Sequence, residues 1–386
     1  MTSFAAEFLG CKVSLADAQA VRERLIGDGH VEAESPAVRV VNTCCVTAEA
    51  VAKSRKAVRR AARSAERVYV TGCAANLEGA FDGLEPNVTV VAARSEPTAD
   101  IIADAVGALA CTGAAPTFAR TRAYVRVQDG CSFSCSYCVI PAVRGASRSR
   151  DSQAVLREVQ RRSGQGHREI VLTGINLGCF RDLAAGMRLA DLLVAVAKVD
   201  GIDRVRLSSI EINHLTDGLL AAFSHPGVAP HLHVPMQSGD DGVLQAMRRR
   251  YSRAGFLASM ERARAAVEGL NLTTDVIVGH PAEDEQAFSN TLTAVESAGF
   301  SKVHVFRYSP RPDTVDAASD PVPPAVKVDR SRRLRALSDR QGARHRRALR
   351  GTRQMVLVED NGRGYTADYT RVEVGGPVGE LVEVVA

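Results

Sequence analysis

Three cysteines stand close together in the sequence, at Cys131, Cys135 and Cys138, with C-x3-C-x2-C spacing directly after a predicted strand. Three thiolates can hold three irons of a [4Fe-4S] cluster and leave the fourth iron open to a small molecule. Zinc is the alternative, but structural zinc normally takes four ligands, and Cys111 and Cys179 lie at no recognised zinc spacing. The spacing therefore favours an iron–sulfur cluster with one open iron.

A second group of thiols is spread over the first 73 residues, at Cys11, Cys44 and Cys73. Each follows a predicted strand, and the ends of neighbouring strands can converge at one edge of a sheet. Cys45 adjoins Cys44, and adjacent side chains on an extended segment point to opposite faces, so we expect Cys44 to be the member of the group. For Cys111 and Cys179 the better interpretation is a small apolar filler or a spare thiol.

Short motifs accompany both cysteine groups. They are GCKVS (10–14), VNTC (41–44), TGCA (71–74), VQDGC (127–131), IP (140–141), RG (144–145), RSR (148–150), LTGINLG (172–178), RLSSIE (206–211), HLHVPMQSG (231–239), MRRRY (247–251), TDVIVG (274–279) and YSPR (308–311). Together they resemble the methylthiotransferases of the radical S-adenosylmethionine (SAM) superfamily, and within these the branch that acts on threonylcarbamoyladenosine in tRNA. Two features depart from the family: residues 280–283 read His-Pro-Ala-Glu in place of Phe-Pro-Gly-Glu, and the C-terminal segment is short for the family's RNA-binding TRAM domain.

The resemblance implies two [4Fe-4S] clusters and SAM as cofactors. It implies that Cys131, Cys135 and Cys138 carry the catalytic cluster whose open iron chelates SAM, with Tyr137 near the adenine. It also implies that Cys11, Cys44 and Cys73 hold an auxiliary cluster. One SAM would methylate a sulfur on the auxiliary cluster, and a second would yield a 5′-deoxyadenosyl radical that abstracts hydrogen from C2 of N6-threonylcarbamoyladenosine at tRNA position 37. The methylthio group then joins that carbon.

Polar residues and glycines at the ends of the later predicted strands are candidates for contact with SAM. By resemblance these cofactor-binding candidates are Thr173, Gly174, Asn176, Ser208, Glu211, Gln237 and Ile277. Ser and Gln at strand ends are also common turn residues, so both interpretations stay open. His231 and His233 alternate on one predicted strand, where a packed, hydrogen-bonded histidine is the more common case than a metal ligand.

The elements that must position these groups are those of an α/β protein. Short β-branched runs alternate with helical periodicity in the first part, and six strand candidates follow at 123–127, 169–172, 204–207, 231–234, 273–278 and 302–306. We predict an N-terminal α/β methylthiotransferase domain (1–110), a linker (111–120), a partial (β/α)6 radical SAM barrel (121–350) and a small antiparallel, TRAM-like β module (351–386). Active sites of such barrels lie at the carboxyl ends of the strands.

Positive charge is concentrated in two segments. Residues 324–353 hold eleven Lys or Arg against two Asp, and residues 53–67 hold seven against one Glu, although the whole chain has a formal charge of only +5. Such helices suit a polyanion, and the alternative is a solvated helix face. We expect Arg332, Arg333, Arg346 and Arg347 to bind nucleic acid, with the tRNA anticodon arm as the partner.

Composition places the chain among ordinary globular proteins. No apolar run approaches the roughly 20 residues that span a bilayer, no signal peptide is recognisable, and nine cysteines suggest metal or redox chemistry in a reducing compartment. We expect a cytoplasmic enzyme served by an electron donor such as flavodoxin or ferredoxin. Two alternatives stay open: a methylthiotransferase acting on an aspartate of a ribosomal protein, and a two-cluster electron carrier without a substrate.

Overall fold

The computed structural model describes residues 2–92, 98–107, 121–318, 320–359 and 362–385. The chain divides into two compact units. The first comprises Met1–Phe118, Gly130–Ser147 and Ser309–Ala317, and the second comprises Ala119–Asp129, Arg148–Tyr308 and Ala318–Ala386. The predicted linker, including Cys111, lies outside the described residues.

The first unit is built on a parallel five-stranded sheet with the order β2-β1-β3-β4-β5. Its strands are β1 (Ser3–Phe8), β2 (Val31–Glu32), β3 (Val38–Thr43), β4 (Arg67–Gly72) and β5 (Val88–Val90), and its helices are α1 (Lys12–Gly27), α2 (Ala48–Ala62), α3 (Thr98–Val106) and α4 (Ile140–Arg144). Valines of β3 and β4 fill the core, as their β-branched runs predict. The strand expected before Cys11 is β1, although its segment SFAAEF has no clear alternation.

Helix α2 shows how the sequence sets local structure here. The side chain of Thr47 caps the helix by accepting a hydrogen bond from Ala50 N at 3.1 Å. Ala57, Val58 and Ala61 are buried, so the basic residues of the segment lie on the outer faces. Helix α2 therefore packs on the sheet through these three residues.

The second unit contains the six predicted parallel strands. They are β6 (Arg122–Arg126), β9 (Glu169–Thr173), β12 (Arg204–Leu207), β13 (His231–His233), β14 (Asn271–Val278) and β15 (Lys302–Arg307). Strands β6, β9 and β12 form one sheet and β13, β14 and β15 another, and parallel bridges such as Ser209–His233 connect them. This arrangement confirms the partial six-stranded barrel, with its apolar core between the strands and the surrounding helices.

Helices and short strands complete the second unit. The helices are α5 (Ser152–Gly164), α6 (Leu189–Ala197), α7 (Asp217–Ala221), α8 (Asp241–Ala246), α9 (Arg253–Ala266), α10 (Glu285–Ala298) and α11 (Pro324–Leu349), and the short strands are β7 (Gln128–Asp129), β8 (Arg148–Ser149), β10 (Arg181–Asp182) and β11 (Met187–Arg188). Among the described residues, no helix combines the length and apolar character that a membrane crossing requires.

The C-terminal module is a four-stranded antiparallel sheet with the order β18-β17-β16-β19. Its strands are β16 (Arg353–Val358), β17 (Arg363–Tyr365), β18 (Arg371–Glu373) and β19 (Leu381–Val385). The predicted antiparallel architecture is confirmed. The sequence pattern does not reveal β17, because it is a three-residue strand centred on a glycine.

Buried charge fixes the C-terminal module to the amino ends of β6, β9 and β12. Glu169 is fully buried and accepts hydrogen bonds from Arg204 at 3.2 Å and from Arg206 at 3.1 Å. The same two guanidiniums donate to backbone oxygens of the module, Arg204 to Met355 O at 2.8 Å and Arg206 to Ala367 O at 2.8 Å. The module therefore lies at the barrel end opposite to the carboxyl ends of the strands.

Candidate active site

Three of the predicted cluster cysteines lie at one edge of the sheet in the first unit. Cys44 and Cys73 directly follow β3 and β4, and Cys11 follows β1 by three residues. The strands are neighbours in register, with Asn42 paired to both Phe8 and Thr71. The strand order thus brings the three sulfurs to the same edge, as the sequence suggested.

A glycine allows the first of these loops to approach the second. Gly10 has a φ of +124°, and a Cβ atom there would lie 2.8 Å from Ser14 Oγ and 3.3 Å from Cys44 Sγ. Any other residue would push the two loops apart. Cys44 is fixed in turn by Ser54, whose Oγ accepts a hydrogen bond from Cys44 N at 3.1 Å.

Burial and neighbouring groups give these thiols different pKa values. Burial raises the pKa of Cys44 to about 11, and the nearby sulfurs of Cys73 and Cys11 add to this rise. The pKa of Cys73 is lowered to about 6, first by a hydrogen bond from the thiol of Cys45 and then by the guanidinium of Arg144, against the opposing effect of burial. The same hydrogen bond, together with burial, raises the pKa of Cys45.

Two buried arginines accompany these sulfurs. Arg144 Nε donates a hydrogen bond to Cys73 Sγ at 3.1 Å, and Arg144 Nη2 donates to Asp17 Oδ2 at 2.7 Å. Arg311 lies close enough to Cys44 and Cys45 to interact electrostatically, and its Nε is buried without a hydrogen-bond partner among the described residues. Soft sulfur donors beside buried cationic N–H groups fit an iron–sulfur cluster, whose thiolates and sulfides carry negative charge.

The second predicted triad lies on the cysteine loop, residues 130–147, which belongs to the same unit. Cys131, Cys135 and Cys138 are all half-buried. The loop is closed by a hydrogen bond from Cys131 N to Gly145 O at 3.0 Å, and Phe133 N donates to Cys131 Sγ at 3.4 Å. Three thiols on one tight loop, each accessible from solvent, fit the cluster with an open iron.

Close packing explains the glycine before the first cysteine of this loop. Gly130 has a φ of +68°, and a Cβ atom there would lie only 2.1 Å from Ala146 O. After the cysteines the loop continues into α4, whose Val143 packs with Val139 in the apolar cluster that also contains Cys73 and Phe81. The cysteine loop is therefore anchored on the N-terminal sheet.

The predicted SAM-binding residues lie at the carboxyl ends of the barrel strands. Thr173 ends β9, Ser208 follows β12, Gln237 follows β13 and Ile277 lies near the end of β14. Thr173 Oγ1 and Ser208 Oγ are buried and make no hydrogen bond within the described residues. Two such hydroxyls at this end of the strands fit a polar ligand, because a buried polar group without a partner is costly.

Gln128, which the sequence analysis did not single out, supports the loop after β9. Its Oε1 accepts a hydrogen bond from Asn176 N at 2.7 Å, and a Cβ atom at Gly174 would lie 2.9 Å from that oxygen. Gly174 is thus needed for the approach of this loop to Gln128, which is a different reason from the close approach to SAM that the resemblance implied.

Two other predicted contacts have distinctive surroundings. The carboxylate of Glu211 forms an ion pair with the buried guanidinium of Arg249. Gln237 adopts a φ of +62° while its backbone pairs with β14 on both sides, through Asp275 O at 2.8 Å and Ile277 N at 2.9 Å. A non-glycine residue held in the left-handed region by neighbouring strands indicates a constrained loop of the kind found at binding sites.

The four arginines predicted to bind nucleic acid differ in their surroundings on α11. Arg332 pairs with Asp329 at 2.6 Å, and Arg333 pairs with Glu285 at 2.6 Å. Arg346 and Arg347 are exposed and have no ion pair within the part of the chain that the structure describes. Within this group, the charge of Arg346 and Arg347 is therefore the more available to phosphate.

Cys179 has a neighbour that the sequence did not indicate. Its Sγ lies 3.4 Å from His214 Nε2, and burial lowers the pKa of that imidazole.

Arg144 and Arg311 appear in the sequence analysis only as parts of motifs, and their proximity to the sulfurs was not predicted. Their presence in short motifs could have marked both arginines as candidates. Their contacts with distant cysteines, however, can be seen only in the folded structure.

Two family models match this chain. The model described as "Radical SAM superfamily" matches residues 125–295, and the model described as "Uncharacterized protein family UPF0004" matches residues 3–92. The first match covers the end of β6, the cysteine loop and the barrel strands from β9 to β14. The second covers the sheet that carries Cys11, Cys44 and Cys73.

Curated relatives match over nearly the full length. The chain is 36% identical to the threonylcarbamoyladenosine tRNA methylthiotransferase MtaB of Chlamydia pneumoniae, over 91% of this chain and 85% of that protein. It is 34% identical to the MtaB of Thermotoga maritima, over 98% and 93%. It is also 33% identical to the tRNA-2-methylthio-N(6)-dimethylallyladenosine synthase of a Parafrankia species, over 94% and 79%.

A solved structure shares the fold. The radical SAM methyltransferase TsrM of Kitasatospora setae, with cobalamin and a [4Fe-4S] cluster bound, superposes with a TM-score of 0.56 at 13% identity, over 82% of this chain and 77% of that one. At this identity the likeness concerns the fold alone.

Proposed function

This chain belongs to the radical SAM methylthiotransferase family, and from that premise we propose that it transfers a methylthio group to C2 of N6-threonylcarbamoyladenosine at position 37 of tRNA. Membership implies an enzyme with SAM and two [4Fe-4S] clusters as cofactors. The observation that supports the proposal best is the presence of two separate cysteine triads in one compact unit, in a chain similar to MtaB proteins over most of its length.

We assign the two clusters to the two triads. Cys131, Cys135 and Cys138 would hold the SAM-binding cluster, and Tyr137 within the same loop would contact the nucleoside part of SAM. Cys11, Cys44 and Cys73 would hold the auxiliary cluster. Cys44 is preferred to Cys45 because Cys44 adjoins the Cys11 loop, whereas Cys45 is fully buried.

When bound, these cofactors supply the radical and the methylated sulfur, chemistry that amino-acid side chains cannot perform. The chain's own residues bind and orient the reactants. The hydroxyls of Thr173 and Ser208, the constrained Gln237, Asn176 and Glu211 would provide polar contacts at the carboxyl ends of the strands. Ile277 would provide an apolar contact, and the Gly174 turn would complete the SAM site. Arg144 and Arg311 balance the negative charge on the sulfurs of the auxiliary triad.

For the substrate we propose the anticodon arm of tRNA, bound through phosphates by the exposed arginines of α11. Arg346 and Arg347 are favoured, and Arg332 and Arg333 contribute less because acidic partners already neutralise them. The electron would come from a small carrier such as flavodoxin or ferredoxin. Enzyme, donor and tRNA would meet in the cytoplasm.

Mass spectrometry of nucleosides from total tRNA tests this function. Cells that lack the protein should accumulate N6-threonylcarbamoyladenosine and lose its 2-methylthio form, and the parent gene should restore it. The matched control is a variant with Cys131, Cys135 and Cys138 replaced by Ala, which should not restore it. If cells that lack the protein keep an unchanged nucleoside profile but lose the methylthio group from an aspartate of a ribosomal protein, the protein substrate is favoured. Reversible reduction of the purified protein without SAM cleavage would favour an electron carrier.

A further inference from the structure

A cluster of polar side chains lies on the inner face of the barrel, a position that apolar side chains could fill without needing hydrogen-bond partners. Leu232, Val276 and Val303 of β13, β14 and β15 enter the core shared with the helices. Because side chains alternate along a strand, their neighbours His233, Asp275 and His304 face the inside of the barrel. We call these three residues the inner-face patch.

The patch is held in place by a chain of hydrogen bonds. His231 Nε2 lies 3.0 Å from Thr273 Oγ1, which lies 2.9 Å from His233 Nδ1. His233 Nε2 in turn lies 3.2 Å from Asp275 Oδ1. One arrangement satisfies every step: His231 donates to Thr273, the Thr273 hydroxyl donates to His233, and His233 donates to the carboxylate of Asp275. The chain fixes the ring of His233 and ends on Asp275.

The patch is accessible to a ligand. His304 is exposed and stands directly opposite Asp275 in the strand register, and the rings of His233 and His304 are 5.5 Å apart. The side chain of Asp275 is 24% exposed. A nitrogen from each histidine and an oxygen from Asp275 lie within 4.8 Å of one another. Ile277 and Phe306, two residues further along their strands, flank the patch with apolar surface toward the carboxyl ends.

We propose that the inner-face patch binds the N6 substituent of the target adenosine and selects threonylcarbamoyl over dimethylallyl. This inference rests on the proposed function. The threonylcarbamoyl group carries urea N–H donors, a hydroxyl and a carboxylate, whereas the dimethylallyl group has no polar atom. Asp275 accepts from an N–H or the hydroxyl, and His304 donates to the carboxylate. A dimethylallyl group offers no polar atom to the carboxylate or the imidazoles, so it would displace water from this face without replacing the hydrogen bonds that water makes there, which a binding site penalises strongly.

Sequence identity alone does not show which of the two modified adenosines is the substrate. The chain is 36% identical to a threonylcarbamoyladenosine enzyme and 33% identical to a dimethylallyladenosine enzyme. The chemistry of the inner face separates the two substrates, because only one of them can use a carboxylate and two imidazoles.

The experiment uses the reconstituted enzyme and three anticodon stem-loops of one sequence, with threonylcarbamoyladenosine, dimethylallyladenosine or adenosine at position 37. His304→Leu and the conservative Asp275→Asn should each raise the KM for the threonylcarbamoyl RNA at least about tenfold, with a smaller change in kcat. In both variants the threonylcarbamoyl RNA should no longer bind more tightly than the unmodified RNA, as measured by fluorescence anisotropy. The affinity for the unmodified RNA should stay within about twofold of the parent enzyme's. Lys302→Gln, at the start of the same strand, is the matched control and should behave as the parent.

Three outcomes would overturn the inference. The first is an equal loss of affinity for all three RNAs. The second is a parent-like KM for the threonylcarbamoyl RNA in both variants. The third is one zinc ion per parent chain that disappears in His304→Leu, which would make the patch a divalent-cation site. A parent enzyme that converts none of the RNAs would instead refute the proposed function, so the two failures are distinguishable. Iron content and thermal unfolding of each variant show whether it is folded.

Discussion

Arg144 Nε lies 3.1 Å from Cys73 Sγ, although 71 positions separate the two residues in the sequence. Arg144 ends the short helix that follows Cys131, Cys135 and Cys138, and Cys73 belongs to the triad of Cys11, Cys44 and Cys73. The first unit therefore contains a direct hydrogen bond between the segments that carry the two proposed clusters.

Replacing Arg144 should change the electronic properties of the auxiliary cluster. A charged N–H donor to a cluster thiolate raises the reduction potential, so Arg144→Gln should lower it and Arg144→Lys should give an intermediate value. The measurement is a redox titration in a background lacking Cys131, Cys135 and Cys138, where only the auxiliary cluster remains. Arg60→Gln, on the exposed face of α2, serves as the control. A potential equal to the parent's in Arg144→Gln would show that the contact has no electrostatic role.

Iron content should divide evenly between the two triads. We expect about eight irons per chain after anaerobic reconstitution, from two cubane clusters. Replacing Cys131, Cys135 and Cys138 by Ala should halve the iron and abolish 5′-deoxyadenosine formation, and replacing Cys11, Cys44 and Cys73 should halve the iron and leave SAM cleavage measurable. Full iron in either variant would refute the assignment of ligands.

Gly130→Ala should damage the cysteine loop selectively. The new Cβ would meet Ala146 O at 2.1 Å in a backbone conformation of φ +68°, which we expect to cost at least about 2 kcal/mol. The variant should lose the SAM-cluster iron and 5′-deoxyadenosine formation. Gly166→Ala is the matched control, since Gly166 has a φ of +89° with open space around it. Parent-like iron and activity in Gly130→Ala would mean that the loop adapts.

Charge reversal on α11 should weaken tRNA binding unequally. Arg346→Glu with Arg347→Glu should reduce the slope of log affinity against log salt by nearly one unit for each lost phosphate contact. Arg332→Glu with Arg333→Glu should have a smaller effect, because these arginines already have acidic partners. Filter binding at several salt concentrations measures both. Equal effects of the two pairs would contradict the distinction, and no effect of either would mark α11 as a solvated face.

The buried carboxylate of Glu169 should make stability depend on acidity. Burial alone would raise its pKa, but Arg206 and Arg204 outweigh burial and hold the pKa below the ordinary value of 4.5. Its stabilising contribution is complete above that value and is lost as the pH falls through the lower folded-state pKa. Glu169→Gln should cost about 3–5 kcal/mol at neutral pH. Thermal unfolding of this variant should also vary less than the parent's between about pH 5 and pH 3, and equal variation would contradict the assignment.

The sequence predicted the architecture well where periodicity and motif agree. The six barrel strands, helices α1 and α2 and the antiparallel C-terminal sheet were all recognisable, because burial imposes alternation on strands and one apolar face on helices. The short β17 was not, since a three-residue strand centred on a glycine has no distinctive pattern. The domain boundaries at residues 110, 120 and 350 stay a prediction.

The sequence indicated the residue types of the site but not its contacts. The cysteines stand out by spacing, whereas Arg144, Arg311 and Gln128 act through neighbours that are distant along the chain. His233 was expected to be packed and hydrogen-bonded, and Thr273 and Asp275 are its partners. Its proximity to His304 depends on the pairing of β14 with β15, which no local pattern encodes.

The first unit is assembled from three separate stretches of chain, and this sets the order of events during synthesis. Ala48 N donates to Ser309 Oγ at 3.2 Å, and Asp316 N donates to Ser136 O at 3.1 Å, so the unit closes only when residue 317 has left the ribosome. At ordinary translation rates about 15–60 s pass between the emergence of Cys11 and that of Ser309. During that interval the thiols of the nascent chain are open to oxidation and to stray metals. If Cys11, Cys44 and Cys73 hold a cluster, we therefore expect iron insertion there to be completed only after residues 309–317 have been made.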